Sequence, residues 1–203
     1  SRGHGPGGPL VGAVDGDVVD EFWIDRHEVT IAQYAEFLDG IGEGTAPGHD
    51  HPSQPSDKTS HVPQDWEAIL ATARRRQHYR GQVIDLNCPV FLVDWWDAHA
   101  SASWRGRRLP TAEEWHRAAS GGEDSPYPWG EEPPADRANT GGDYDRDGGG
   151  GGTDGYNLWA PVDAHPGDAS PFGAIGMGGN VEEWTATQSN HPDYPDRLTP
   201  VVC

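Results

Sequence analysis

Nine tryptophans are spread along a chain that also carries 28 glycines and 18 prolines, and this combination limits the fold more than any other feature. So much glycine and proline commits the backbone to turns and loops rather than to long helices or wide sheets. The tryptophans (Trp23, Trp66, Trp95, Trp96, Trp104, Trp115, Trp129, Trp159 and Trp184) argue against disorder, which belongs to chains lacking large apolar side chains to offset the entropy of ordering. An aromatic core beneath many loops follows. At 203 residues the chain suits one domain.

Acidic residues outnumber basic ones 33 to 14, for a net charge of −19. That field repels phosphate backbones and anionic lipid, so neither nucleic acid nor a membrane surface is expected as a partner. It concentrates cations, which makes a divalent metal the ligand class to test, although acidity alone also serves solubility. No stretch approaches the ~18 apolar residues of a membrane span. Cys88 and Cys203 are too few for a disulfide scaffold and lack C-x-x-C spacing, and whether they pair is left open. The opening SRGHGPGGPL has no apolar signal core, but a trimmed N-terminus would look the same, so the compartment is open as well.

Local patterns divide the chain. Residues 1–17 read as a flexible segment, and VVDEFWIDRHEVT (18–30) as a strand running into a helix start. Thr30 and Gln33 make a capping box, Ile31, Tyr34, Phe37 and Leu38 share one helical face, and the helix is expected to end near Gly40. Residues 41–64 read as a surface loop in which His49, His51 and His61, with no Cys or orienting pattern beside them, are solvated. A second helix is expected from its cap, Asp65, to Arg76. Cys88 reads as a small buried apolar residue before a buried strand over Pro89–Val93. Asp94 then caps a helix that Gly106 ends, and Pro110 with the box Thr111 to Glu114 starts another that Gly121 and Gly122 stop. From Gly122 to Trp184 nearly everything reads as loop, a length that something other than backbone ladders must hold, and bound metal is the first candidate.

The blocks EFWIDRHEVTIAQYAEFL, PVFLVDWWDAHASASWRGRRLPTAEEWHRAASGG, YPWG, RANTG, PVDAHP and FGAIGMGGNVEEW resemble, in order, successive signatures of the formylglycine-generating-enzyme and sulfatase-modifying-factor family across residues 18–185. The resemblance implies an α+β domain, a variant of the C-type lectin fold with short strands, few helices and loops fixed by calcium. It implies a first calcium site from the Asn139 side chain and Thr140 carbonyl of RANTG with Asp154 and the Tyr156 carbonyl of TDGY. A second would use the Gly179 and Val181 carbonyls and the Glu183 carboxylate of GNVEEW. There the sequence departs from the family, with Gly176 where an Asp or Asn is usual, which weakens that site. Between the two, Asp143, Asp145, Asp147 and Gly148 begin like an EF-hand loop with Asp154 at its twelfth position, but without the apolar eighth residue and the bidentate Glu they read as a solvated acidic loop. Asn180, Trp184, Arg107 and Arg108 are expected to be structural.

Members of the family include a copper-dependent oxidase that converts a sulfatase cysteine to formylglycine, iron-dependent sulfoxide synthases, and binding scaffolds, and fold alone does not choose among them. Copper chemistry requires a thiolate pair. In the family that pair lies after a Gly-Gly-Ser segment, which this chain, ending in PVVC, does not reach, so Cys203 cannot supply it alone. The iron enzymes draw a His triad largely from an extra helical domain that residues before 18 do not provide. There is no G-x-S-x-G elbow, H-E-x-x-H helix or phosphate-binding loop, and no catalytic residue is assigned. The leading expectation is a calcium-stabilised, non-catalytic binding or scaffold module of a larger or processed protein. Residues 18–203 would form a C-terminally incomplete domain whose partner is a protein or peptide, its own C-terminal fragment included. The alternatives are a copper-dependent formylglycine-generating oxidase with its cysteines in the missing segment, and a C-type-lectin-like ligand binder.

Overall fold

The computed structural model describes residues 10–11, 19–42, 45–122, 125–134, 136–140, 154–191 and 194–203. Among them are four helices and three two-stranded antiparallel sheets, an α+β arrangement of short elements. Strand β1 (Leu10–Val11) pairs with β2 (Phe22–Trp23), β3 (His78–Tyr79) with β4 (Gln82–Val83), and the long hairpin of β5 (Trp184–His191) and β6 (Tyr194–Val202) closes the described chain.

The helices begin where local chemistry dictates. In α1 (Ile31–Ile41), α3 (Trp95–Trp104) and α4 (Ala112–Ser120) the caps Thr30, Asp94 and Thr111 each accept from a backbone N–H in the first turn, while Gln33, Asp97 and Glu114 reach back to the cap. Helix α1 runs past Gly40 to Ile41 because the Trp104 ring covers Gly40; a Cβ there would lie 2.4 Å from Cζ2. For α2 (Trp66–Arg75) the expected cap fails: Asp65 sits at φ 59°, and its carboxylate turns to the Tyr79 hydroxyl (3.1 Å) and Arg80 instead of the helix.

The core is aromatic. Ile31, Tyr34, Phe37 and Leu38 of α1 meet Trp66, Ile69 and Ala73 of α2 and Ala100 of α3, with Ile84, Cys88 and Phe91 beneath. Tyr34 stands edge-on to Phe37 and Trp66 at 5.3 and 5.5 Å, a preferred geometry for ring pairs. One expected strand is cut short and another does not form. Among the described residues of 18–30, Phe22–Trp23 is the strand, with a single bridge from Thr30 to Pro89. Pro89–Val93 is broken by Leu92 at φ 60°, which turns Phe91 flat onto Trp159 (3.7 Å, 3°): side-chain packing wins over strand pairing.

The loop histidines expected in solvent are packed. His61 is wholly buried, His51 lies 4.9 to 5.7 Å from the rings of Trp95, Trp96 and His99, and the His49 ring meets the Ser103 hydroxyl at 3.2 Å. Among the described residues no helix is long and apolar enough to cross a membrane.

Candidate cation site

Residues 176–183 fold into a turn stitched to three distant segments by one amide. Asn180 adopts φ 72°, a left-handed conformation that Asn tolerates better than most residues. Its Oδ1 accepts from Ala160 N (2.8 Å) and Asn139 Nδ2 (3.0 Å), and its Nδ2 donates to the Ala160 carbonyl (3.1 Å) and Glu28 Oε1 (3.0 Å). Its backbone N–H donates to the Asn139 carbonyl at 2.7 Å. Asn139, itself buried, spends its second amide hydrogen on the Leu158 carbonyl (2.7 Å). The atom a cation would take from it is therefore the amide oxygen.

Close approach explains two glycines. A Cβ on Gly179 would lie 2.3 Å from the Asn139 carbonyl oxygen, so a side chain would push the RANTG and GNVEEW segments apart. At Gly176, φ 94°, a Cβ would lie 2.5 to 2.6 Å from the carboxyl atoms of Glu28. The sequence departure at 176 thus has a steric counterpart: the space that an Asp or Asn side chain would enter is filled by a carboxylate from residue 28.

Three carboxyl groups gather at this turn. Burial, then the charges of Glu28 and Asp168, drive the Glu183 pKa well above the ordinary carboxylate range despite a hydrogen bond from Trp115 Nε1 at 3.2 Å. Burial raises Glu28 to about 7 and Asp168 to about 6. Glu28 Oε2 and Asp168 Oδ1 find no hydrogen-bond partner among the described residues. Buried carboxylates in this state require a proton or a cation. The donors are all oxygen, the chemistry of a hard divalent ion.

Of the residues expected to bind calcium, Asn139, Thr140, Gly179, Val181 and Glu183 line one cavity of about 520 Å³, together with Gly176, Trp115 and Cys203. Asp154 and Tyr156 do not line it. The Asp154 carboxylate accepts from Tyr156 N–H at 2.9 Å, closing a turn next to the strand of chain that carries Leu158. Among the described residues no three His, Cys, Asp or Glu side chains converge as a metal centre, so a cation here would rest largely on carbonyls and amides. Asp143, Asp145, Asp147 and Gly148 lie outside the described residues. Sequence reasoning missed Glu28 and Asp168, which are 152 and 12 residues from Asn180; nothing in the local pattern marks either one.

The remaining polar groups have structural roles. Arg107 pairs with Asp25, and Arg108 grips both Glu114 oxygens at 2.6 Å. Trp184 donates to the Val93 carbonyl at 3.1 Å. Cys88 is fully buried and its thiol is pushed up to about 11 by burial; Cys203 is half-buried beside Glu183, its thiol also raised by burial and that charge, and both are free. Neither is the low-pKa thiol of a reactive cysteine. A second cavity, of about 460 Å³, runs between β2, α3, α4 and Trp184. Its walls are largely apolar, with Glu28, Ser101 and Arg105 among the lining residues; Glu28 Oε2, Ser101 Oγ and Arg105 Nε are buried without a partner among the described residues.

The sulfatase-modifying factor enzyme 1-like domain model matches residues 11–199. Relatives include the hercynine oxygenase of Mycolicibacterium smegmatis, 35% identical over 90% of this chain and 44% of its own length. The formylglycine-generating enzyme of Mycobacterium tuberculosis is 35% identical over 84% of this chain and 64% of its own length. An inactive C-alpha-formylglycine-generating enzyme 2 from Bos taurus is 41% identical over 56% and 37%. The chain spans less than two thirds of the length of each of these relatives.

Proposed function

This chain belongs to the sulfatase-modifying-factor family, and on that premise we propose that its residues form a calcium-stabilised scaffold that binds a polypeptide rather than a self-contained catalyst. The observation that carries the reading is the set of buried carboxyls at the Gly176–Glu183 turn: Glu28 and Asp168 each keep an unpartnered oxygen, and Glu183 lines a cavity with Asn139, Thr140, Gly179 and Val181. Glu183 with the Gly179 and Val181 carbonyls would hold one ion, and Asn139, the Thr140 carbonyl, Asp154 and the Tyr156 carbonyl a second. Bound calcium supplies the positive charge that these carboxyls lack and ties the loops they stand on. The fold, on this reading, is a variant of the C-type lectin fold.

The partner would occupy the apolar cavity beside β2. The cavity's largely apolar walls, with the side chains of Ser101, Arg105 and Glu28 among them, suit a protein or peptide segment better than a small hydrophilic ligand. A covalently continuous segment of the same polypeptide has this chemistry too.

A specific observation favours a second reading, that the whole protein is an oxidase. The two mycobacterial enzymes match most of this chain at the same identity as each other. A copper enzyme of this family would need a thiolate pair, which Cys88 and Cys203, separate and with raised pKa, do not provide. Calorimetric titration of the protein with Ca²⁺ and, separately, with Cu(I) distinguishes the readings. The scaffold reading expects calcium binding that Glu183→Gln weakens at least tenfold and no tight Cu(I) site; tight one-to-one Cu(I) binding without calcium binding would reverse the assignment.

A further inference from the structure

The segment 45–64 carries no helix or strand, yet it lies against α1 and α3 with His61 wholly buried. We propose that His61 is a proton-operated latch that holds this segment closed on α1 and α3 while the ring is an imidazolium, and loosens it when the ring is neutral.

The geometry sets the logic. His61 Nδ1 lies 3.0 Å from Asp97 Oδ1, and Nε2 lies 2.8 Å from Asp50 Oδ1. Carboxylates only accept, so meeting both at once takes two ring N–H groups, and a neutral imidazole has one. On deprotonation one carboxylate faces a bare nitrogen lone pair inside the protein. Asp97 keeps another partner, because Lys58 Nζ lies 2.6 Å from the same Oδ1 and 2.8 Å from Asp94 Oδ2. Among the described residues Asp50 has no second cation, only the neutral Gln54 side chain besides, and its side chain is 25% exposed, so it is the arm that swings out to water. With it goes the hydrogen bond its Oδ1 accepts from Ala46 N–H (3.1 Å), which pins the start of the segment in the core.

Every element around the ring contributes to the balance. The segment itself presents Asp50 and Lys58; α3 presents Asp94, Asp97 and His99; α1 presents the Tyr34 hydroxyl, which donates to the His61 carbonyl at 2.8 Å. Two cations stand against three carboxylates when the ring is charged, and one when it is not. Burial alone lowers the His61 pKa, but the hydrogen bonds it donates to Asp97 and Asp50 outweigh it and the net shift is upward. The contribution is therefore complete below the ordinary imidazole value and is lost as pH rises through the folded value. At the acid end Asp50 and Asp97, although burial pushes each up, are held below the ordinary carboxylate value by His61, so they release the latch only at low pH.

The test is NMR titration of the intact protein from pH 5.5 to 8.5, following the His61 ring and backbone amide exchange together. Both ring nitrogens should carry protons at pH 6 and titrate above the ordinary 6.5. As pH rises from the ordinary 6.5 to that midpoint, exchange in residues 45–64, corrected for intrinsic rates, should accelerate by up to about tenfold per pH unit, the limit for one linked proton, and level off above it, while α4 does not follow. Asp50→Asn keeps an acceptor but removes the charge, and should lower the midpoint. A ring that is neutral at pH 6, exchange that tracks intrinsic rates throughout, or a midpoint unmoved by Asp50→Asn would each overturn the latch. The wild-type titration decides the matter even where the variant does not fold.

Discussion

Asn180→Ala is the perturbation for which the structure gives the most definite cost. The side chain takes part in four hydrogen bonds, to Ala160 N–H, the Ala160 carbonyl, Asn139 Nδ2 and Glu28 Oε1. At roughly 0.5–1.5 kcal/mol net for each bond, their loss amounts to about 2–6 kcal/mol, weighted to the upper half because the groups left behind are buried. A left-handed backbone adds about 1–2 kcal/mol for a residue with a Cβ and no compensating side-chain bond. Against a typical domain stability of about 5–15 kcal/mol, the variant stands close to unfolding at room temperature. Asn180→Gly removes the same bonds but relieves the backbone, so the Gly and Ala variants should differ by about 1 kcal/mol in favour of Gly. Urea unfolding followed by tryptophan fluorescence measures both. A loss below about 1 kcal/mol for Asn180→Ala would refute the reasoning, since one net hydrogen bond would then account for a residue assigned four.

Phe91→Ala, which removes the ring stacked on Trp159, should destabilise by about 3–5 kcal/mol in the same assay. Gly179→Ala, whose Cβ would lie 2.3 Å from the Asn139 carbonyl, should abolish calcium binding in calorimetry. A thiol reagent should modify Cys203 in the native protein and reach Cys88, buried and raised to about 11, only on denaturation. With calcium chelated, Glu28 and Asp168, whose folded pKa values of about 7 and 6 lie above the unfolded ones, bind more protons in the native state. Stability should then fall as pH rises from 4 to 7, and added calcium should flatten the curve in a pH-dependent urea series.

What the sequence made legible is what is decided within a few residues. Thr30 with Gln33 and Thr111 with Glu114 sit one helical turn apart, and both boxes form, that of Glu114 even while Arg108 grips the same carboxylate. Asp65 looks like the same kind of cap, but Tyr79 and Arg80, brought near by the β3–β4 turn, take its carboxylate. His61 could not be read from its surroundings, because one of the two carboxylates that bury it lies 36 residues away on α3. The family motifs drew attention to Asn139, Gly179 and Glu183, and these share a cavity. Glu28, which fills the place beside Gly176, comes from a segment whose pattern signals only a strand and a helix start. The hairpin of β5 and β6 went unread because its two register shifts blur the alternation by which a strand is recognised.

Thermal melting of the protein with calcium and with a chelator, at fixed pH and ionic strength, reads out whether calcium holds the loops of this fold. A ligand that binds only the native state at 100 times its Kd adds about 2.7 kcal/mol. For a chain of this size that raises Tm by roughly 5–10 °C. The account predicts a calcium-dependent rise of this order that Glu183→Gln reduces. A Tm that chelation leaves unchanged would contradict it.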